Sequence, residues 1–367
     1  MNLNHQMKNH FLMLVLSLGL LVQGCSTPDS PNQNSTTQAQ SVVESTSEIV
    51  TEELKVPSID QDVSLYVRHM SAKNKEKFTN NEVVLFLEPF SVPTAQAFDV
   101  PGYSWMEEYA KQGYDTWAMD FRGFGHSTRP VEMDQPPVKN APVVRATEAV
   151  KDLEAVVQHI KKTRQVDKIS IVGWSWGGVV AGMYATEHSD DIEKLVLYGV
   201  MHGFSLPLMA TPFEAKGKPG EINPQLPAYQ VVQFDKAMHH WHMMLDKRDL
   251  VSGEAMNAVS KVFVNSDPNS SKQPEQSIRR PMGPLVDLYY IWTDKPIFDA
   301  AKITTPVLII RGDLDFFADK SLFHKLTNAS AKQEVVIKDA THWVLYEKNR
   351  DQLLRETDEF LKKEVNP

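Results

Sequence analysis

The most informative segment of the chain is Ile169-Ser170-Ile171-Val172-Gly173-Trp174-Ser175-Trp176-Gly177-Gly178. Its first four residues are typical of a buried strand, and the small, apolar residues that follow it are typical of a helix. Between them stands Gly-x-Ser-x-Gly, the pattern of a sharp strand-to-helix turn that exposes a serine hydroxyl. The two flanking glycines let strand and helix approach closely. We therefore predict that Ser175 is a nucleophile; the alternative is an ordinary strand–helix turn with a capping serine.

The composition excludes some classes of partner. A chain of 367 residues allows one large domain or two small ones, and its hydrophobic content of 42% is sufficient for a globular core. The net charge is −9, and lysine and arginine form no long run. Both features argue against nucleic acid as a partner and against electrostatic docking to anionic lipid.

Residues 1–24 are typical of an export signal. Their apolar core of about a dozen residues is too short to span a bilayer. It ends in Val22-Gln23-Gly24-Cys25, which resembles the bacterial lipoprotein signal, and Cys25 is the only cysteine in the chain. The resemblance implies that Cys25 is lipidated and that the protein is exported and membrane-anchored, at the outer membrane or cell surface. The alternatives are plain secretion, which gives a periplasmic or secreted protein, and an uncleaved anchor.

Residues 25–50 are rich in Ser, Thr, Gln, Asn and Pro, so we predict a disordered tether. After it, predicted strands alternate with predicted helices, which indicates an α/β fold with a mostly parallel central sheet and helices on both faces. This core takes residues 51–203 and 301–367. The predicted strands lie at 63–68, 83–87, 115–119, 169–172, 195–198, 307–310 and 334–337, and the predicted helices at 105–112, 147–163, 319–326 and 344–362.

Residues 204–300 differ from the core. Prolines are frequent at first, and helix-like stretches follow at 229–246 and 253–264. We predict an inserted, mainly helical cap over the carboxyl edge of the sheet, where open parallel sheets bind ligands. His239-His240-x-His242 suggests a metal cluster, but positions two apart on a helix do not share a face. We interpret these residues as exposed histidines of an amphipathic cap helix, and we predict no metal site and no cofactor.

Three further motifs complete a resemblance to the α/β-hydrolase fold family. They are Asp120-Phe121-Arg122-Gly123-Phe124-Gly125-His126-Ser127, Ile310-Arg311-Gly312-Asp313-Leu314-Asp315 and Asp339-Ala340-Thr341-His342-Trp343. The resemblance implies a catalytic triad of Ser175 as nucleophile, Asp315 as orienting acid and His342 as general base. Asp313 is the close alternative for the acid. The chain order Ser, Asp, His is the order of this fold.

The resemblance also implies an oxyanion hole made by the backbone N–H groups of Trp176 and Phe90. Family members commonly have His-Gly directly after the strand that corresponds to residues 83–87. This chain has Glu88-Pro89 at that point instead. Glu88 lies near the pocket or serves as a structural partner of a backbone amide, and we prefer the second. Glu88, Trp174 and Trp343 are the candidate residues of the substrate pocket.

A serine hydrolase is the function that the resemblance implies. We expect cleavage of a carboxylic ester or lactone of a small, apolar substrate through an acyl-enzyme. A serine at position 175 argues against the epoxide-hydrolase branch, which uses aspartate there. The alternatives are an aminopeptidase resembling proline iminopeptidase and, in a different class, a lipoprotein that keeps the fold as a non-catalytic binding module.

Overall fold

Parallel strands form the centre of the computed structural model, which describes residues 48–364. In that range the strands are β1 (Ile49–Pro57), β2 (Ser64–Ala72), β3 (Val83–Leu87), β4 (Asp115–Met119), β5 (Ile169–Trp174), β6 (Ile192–Tyr198), β7 (Glu214–Ala215), β8 (Lys218–Ile222), β9 (Tyr229–Val232), β10 (Ile278–Pro281), β11 (Val307–Gly312) and β12 (Lys332–Ile337). One sheet has the order β1-β2-β4-β3-β5-β6-β11-β12. β2 is antiparallel to both of its neighbours, and the strands from β4 to β12 in this order pair in parallel.

Helices cover both faces of this sheet. Within residues 48–364 the helices are α1 (Trp105–Lys111), α2 (Ala146–Arg164), α3 (Trp176–His188), α4 (Pro207–Ala210), α5 (Phe234–Ala237), α6 (His239–Leu245), α7 (Gly253–Asn265), α8 (Gly283–Trp292), α9 (Leu322–Lys325) and α10 (Arg350–Lys362). Side chains alternate along β3, so that Leu85 joins one apolar core and Phe86 the other. Leu153 of α2 packs in the first core and Leu353 of α10 in the second. The predicted α/β fold class, with a mostly parallel sheet between helices, is confirmed.

The first strand, β1, is absent from the sequence prediction. It pairs along its whole length with β2, and its first residues, Ile49 and Val50, fall inside the predicted tether of residues 25–50. The folded part therefore begins before the predicted residue 51. Glu52 and Glu53 are exposed in this edge strand, and they hide its apolar pattern. The predicted signal and Cys25 lie outside the described residues.

Two helices near the carboxyl terminus are shorter than predicted. The helix expected over 319–326 forms only as α9, because the Asp319 carboxylate accepts hydrogen bonds from the N–H and the hydroxyl of Ser321 and fixes a turn there. The helix expected over 344–362 is divided into a 3-10 turn at Val344–Tyr346 and α10. Both differences concern helix starts, where local side-chain bonds compete with the helix.

The chain between β6 and β11 contains α4 to α8, as a helical cap requires, but also the strands β7 to β10, which the sequence analysis did not predict. β7 pairs with β8 and β9 with β10. The helix predicted over 229–246 is wrong at its start, where residues 229–232 form β9. The sequence pattern does not reveal this strand, because its partner β10 lies more than 40 residues further along the chain. Within residues 48–364, no helix combines the length and the apolar character that crossing a membrane requires.

Candidate active site

Ser175 occupies the tip of a strained turn between β5 and α3. Its φ of 57° and ψ of −123° lie outside the regions that non-glycine residues ordinarily adopt. A Cβ on Gly173 would come within 2.5 Å of the Gly178 Cα, so glycine is what permits this close approach. The Ser175 N–H donates to the Tyr198 carbonyl at 2.9 Å and ties the turn to β6. Ser175 lines a cavity, which is the placement that a nucleophile at this turn requires.

The start of α3 lies directly against the loop that follows β3. A Cβ on Gly177 would come within 2.5 Å of the Leu87 carbonyl oxygen and 2.6 Å of the Glu88 carbonyl oxygen. Trp176 is the first residue of α3, and the N–H of such a residue has no acceptor inside its own helix. Phe90 lines the same cavity as Ser175. The two predicted oxyanion donors therefore belong to backbone segments that are in contact.

Asp315 and His342 form a buried hydrogen-bonded pair. His342 Nδ1 lies 2.8 Å from Asp315 Oδ2. The other carboxylate oxygen accepts hydrogen bonds from the N–H groups of Phe317 at 2.9 Å and Ala318 at 3.3 Å, so the acid is held in one orientation. Asp313, the alternative acid, is exposed, and its carboxylate accepts from the Ala340 N–H at 3.3 Å. The partner of the histidine is therefore Asp315.

The loop that carries His342 is held by side chains from the ends of β5 and β6. The carbonyl oxygen of His342 accepts hydrogen bonds from Trp174 Nε1 at 3.1 Å and from the Tyr198 hydroxyl at 2.9 Å. Trp174 is the last residue of β5 and precedes Ser175, so the strand that leads into the serine turn also holds the loop of His342. The hydrogen bonds of residues 48–364 do not include one between the Ser175 hydroxyl and His342. Catalytic hydrogen bonds of this kind often form only when substrate is bound.

Glu88 is a buried structural carboxyl. One of its oxygens accepts from the Phe121 N–H at 2.9 Å, and the other has no hydrogen-bond partner among the described residues. Burial, and then the neighbouring Asp120, raise the pKa of Glu88 well above its usual range. Asp120 itself accepts from the N–H groups of Ala95 and His126 at 2.5 and 2.6 Å. Glu88 thus anchors the turn after β4, which agrees with the second of the two roles considered for it.

The cavity at Ser175 has a volume of about 240 Å³. The predicted pocket residues Glu88, Trp174 and Trp343 are buried and do not lie on its wall, so that prediction is wrong. Trp343 stands one layer behind, where its Nε1 donates to His240 Nε2 at 3.2 Å. The wall consists of Phe90, Ser91, Met201, Met209, Phe213, Gln230, Lys236, Ala237, His239, His240, Met243, Arg280, Leu285, Leu288, Trp292 and Phe317.

His240 corrects a second prediction, that the cap histidines are exposed. His239 and His242 are exposed, but His240 is buried, and burial lowers the pKa of its imidazole well below the usual value. Its ring centre lies 6.4 Å from that of His342 and 5.1 Å from that of Phe317. A neutral ring on the cavity wall is expected to act as a polar packing group. Within residues 48–364, no cluster of side chains suits a metal ion.

Asp287 of α8 is a site residue that the sequence analysis missed. Its Oδ2 accepts from Trp176 Nε1 at 3.2 Å and from the Ala146 N–H at 2.7 Å, and Oδ1 accepts from Arg145 Nε at 2.5 Å. Burial raises the pKa of this carboxyl. These bonds fix the Trp176 side chain next to Ser175 and join the segment between β6 and β11 to the core. One acidic residue within the apolar run 283–292 is the signal that could have marked it.

This fold and this serine turn match a known family. Residues 100–349 match the alpha/beta hydrolase fold family. The match covers more than half of the chain, and the chain therefore belongs to that family.

Individual relatives are distant. Epoxide hydrolase 3 of Xenopus tropicalis is 29% identical over 103 residues, which are 27% of this chain and 24% of that protein. The match thus spans about a quarter of the length of that relative. An esterase from Exiguobacterium antarcticum superposes with a TM-score of 0.53 at 15% identity, over 85% of this chain and 100% of its own. An enol-lactonase from Burkholderia xenovorans LB400 superposes with a TM-score of 0.54 at 16% identity, over 85% of this chain and 100% of its own. At such identities the structural likeness concerns the fold.

Proposed function

We propose that the protein is a serine hydrolase that cleaves a carboxylic ester or lactone of a small substrate through an acyl-enzyme. The observation that carries the proposal is the buried hydrogen bond between Asp315 and His342 at the sheet edge where Ser175 stands in its strained turn. A nucleophile needs a base, and the base needs a group that fixes its tautomer. In this chain Ser175 follows β5, Asp315 follows β11 and His342 follows β12, three strands of the parallel part of the sheet.

In the proposed reaction the Ser175 oxygen attacks the carbonyl carbon while His342 takes the hydroxyl proton. The negative charge that develops on the carbonyl oxygen is stabilised by the N–H groups of Trp176 and Phe90. When the tetrahedral intermediate collapses, the bond to the leaving oxygen breaks, and His342 returns the proton to the alkoxide. Water then attacks the acyl-enzyme with the same assistance, which releases the acid and restores Ser175.

Asp315 supports this cycle by its position. It holds His342 Nδ1–H, so the other ring nitrogen is left as the base, and its negative charge stabilises the imidazolium that forms. The acid keeps its place because Oδ1 is occupied by the Phe317 and Ala318 amides.

The distant match to an epoxide hydrolase suggests epoxide hydrolysis as a second candidate reaction. The serine at position 175 argues against it. The family resemblance places an aspartate at the nucleophile position in that branch, and this chain has a serine. Ester cleavage through an acyl-serine is the proposal that the residues support.

The test is covalent labelling with a fluorophosphonate probe, combined with hydrolysis of p-nitrophenyl esters of rising chain length and of lactones. We expect labelling that is lost in Ser175→Ala and kept in Ser330→Ala, which removes an exposed hydroxyl outside the cavity. Ester hydrolysis should follow the same pattern. A wild-type protein that neither labels nor turns over any ester would instead indicate a non-catalytic binding module, and release of a free amino acid from an aminoacyl anilide would indicate a peptidase.

We also propose, on the lipoprotein-like motif alone, that the protein is exported and anchored by a lipid on Cys25. Fatty-acid labelling in a bacterial host should mark the wild type and spare Cys25→Ala. Equal labelling of both proteins, or of neither, would contradict the anchor and leave the proposed chemistry unaffected.

A further inference from the structure

The cavity at Ser175 has a charge that contrasts with the whole chain. Its described wall includes the cationic side chains of Arg280 and Lys236 and contains no aspartate or glutamate. The chain as a whole carries a net charge of −9. An excess of positive charge in the one cavity that contains the proposed nucleophile favours an anionic ligand.

Arg280 is a buried cation that forms no ion pair with any residue of the range 48–364. Its side chain is only 5% exposed, and Nε and Nη1 have no hydrogen-bond partner among the described residues. Burial lowers the pKa of the guanidinium to about 9, so the group is still charged at neutral pH. The neighbouring Arg279 shows the ordinary arrangement, since it is paired with Asp267 and Asp134.

A buried charge with free donors is costly, because it has lost its hydration and gained no partner. Here the guanidinium carbon lies 4.0 Å from the ring centre of Phe90, which compensates only in part. Phe90 also belongs to the loop proposed to bind the oxyanion. The charge therefore lies on the wall of the cavity that contains Ser175, next to the loop proposed to bind the oxyanion.

A second unpartnered donor stands next to Arg280. Gln230 is its partner in the β9–β10 register. The amide nitrogen Nε2 of Gln230 is buried without a hydrogen-bond partner among the described residues, and the side chain lines the same cavity. The small cap sheet thus presents a cation and a neutral donor side by side.

We propose that the pocket selects substrates with a carboxylate in addition to the scissile ester or lactone, and that Arg280, assisted by Gln230, binds this carboxylate. The inference rests on the proposed hydrolase function and names its substrate class. A planar guanidinium with free N–H groups is the side chain best suited to a carboxylate. The rest of the wall is mainly apolar and would enclose the carbon skeleton.

The test compares esters that differ only in that carboxylate. p-Nitrophenyl hydrogen adipate is compared with its methyl ester, which tests the acyl side, and 4-acetoxybenzoate with methyl 4-acetoxybenzoate, which tests the leaving group. We expect kcat/KM to favour the acid over its neutral partner by about 10- to 100-fold in at least one pair, as for a hydrogen bond to a charged group.

The ratio of the two kcat/KM values is the readout for variants. It should collapse toward one in Arg280→Gln, persist in part in Arg280→Lys, and stay at the wild-type value in Lys261→Gln. Lys261 is exposed and lines a different depression, so its substitution changes the net charge equally without touching the cavity. A wild-type ratio near one in both pairs, or a ratio that survives in Arg280→Gln, overturns the inference.

Binding separates this inference from the hydrolase proposal. In Ser175→Ala, calorimetric titration with monomethyl adipate should give a dissociation constant at least about tenfold lower than with dimethyl adipate. Arg280→Gln on that background should remove the difference. If the wild type labels with fluorophosphonate and the two dissociation constants are equal, carboxylate recognition is refuted and the hydrolase proposal stands. If labelling fails and the dissociation constants differ as expected, the hydrolase proposal is refuted and carboxylate recognition stands.

Discussion

Replacing Gly199 with alanine should damage catalysis more than stability. Gly199 follows β6 with φ of 58°, and a Cβ there would lie 2.8 Å from His342 Nδ1 and 3.0 Å from Asp315 Oδ2. Ordinary contacts are about 3.5 Å, so the histidine or the acid must move by roughly half an ångström or more. A misplacement of about 1 Å costs on the order of 10²-fold in rate, and we expect kcat to fall by about 10- to 100-fold with KM nearly unchanged.

Backbone strain alone should lower kcat less than the contact with the Asp315–His342 pair does, and a control variant at another glycine with positive φ tests this. Gly102 has φ of 80° and nothing within 4 Å of a built Cβ, so Gly102→Ala brings a similar backbone penalty without contact to the Asp–His pair. Each variant should lose about 1–2 kcal/mol of unfolding free energy. Steady-state hydrolysis of a p-nitrophenyl ester and the rate of fluorophosphonate labelling are the assays. Wild-type kcat in Gly199→Ala, or an equal loss of kcat in both variants, would show that the Asp315–His342 pair tolerates a Cβ at position 199.

The remaining predictions concern individual side chains of the site. Asp315→Asn should lower kcat by about 10⁴-fold through the wrong histidine tautomer, while Asp313→Asn stays near wild type; equal kcat values would assign the acid elsewhere. The pKa of Glu88 in the folded protein is raised above 4.5, so the folded protein keeps a proton that the unfolded chain loses. The free energy of unfolding should therefore fall as the pH rises from 4.5 toward the pKa of Glu88 in the folded protein. Denaturant titrations across pH should show that this slope is reduced in Glu88→Gln, whose amide oxygen can still accept the Phe121 N–H; an unchanged slope would contradict the raised pKa. Arg280→Met should keep or raise the thermal midpoint, since it removes an unpartnered buried charge, and a clear fall would assign Arg280 a structural role instead.

The local parts of the fold were predictable from sequence because their causes are local. The continuous apolar runs of β3 and β5 follow from burial on both faces of a parallel sheet. The glycines at 173 and 177 are required by backbone contacts at the turn itself. β1 was missed because its charged middle is stabilised by pairing with β2, which a pattern along one strand does not reveal.

Local sequence patterns were sufficient for the turn at Ser175, for the core strands β2 to β6, β11 and β12, and for the loops that carry Asp315 and His342. The hydrogen bond of His342 to Asp315, with Asp313 left exposed, became evident only in three dimensions. It also decided the composition of the cavity wall, since β9 and β10 come together across a long cap segment and place Arg280 beside Gln230. A hydrogen bond or an unpaired charge depends on the groups that surround a side chain in space, and distant parts of the chain supply those groups.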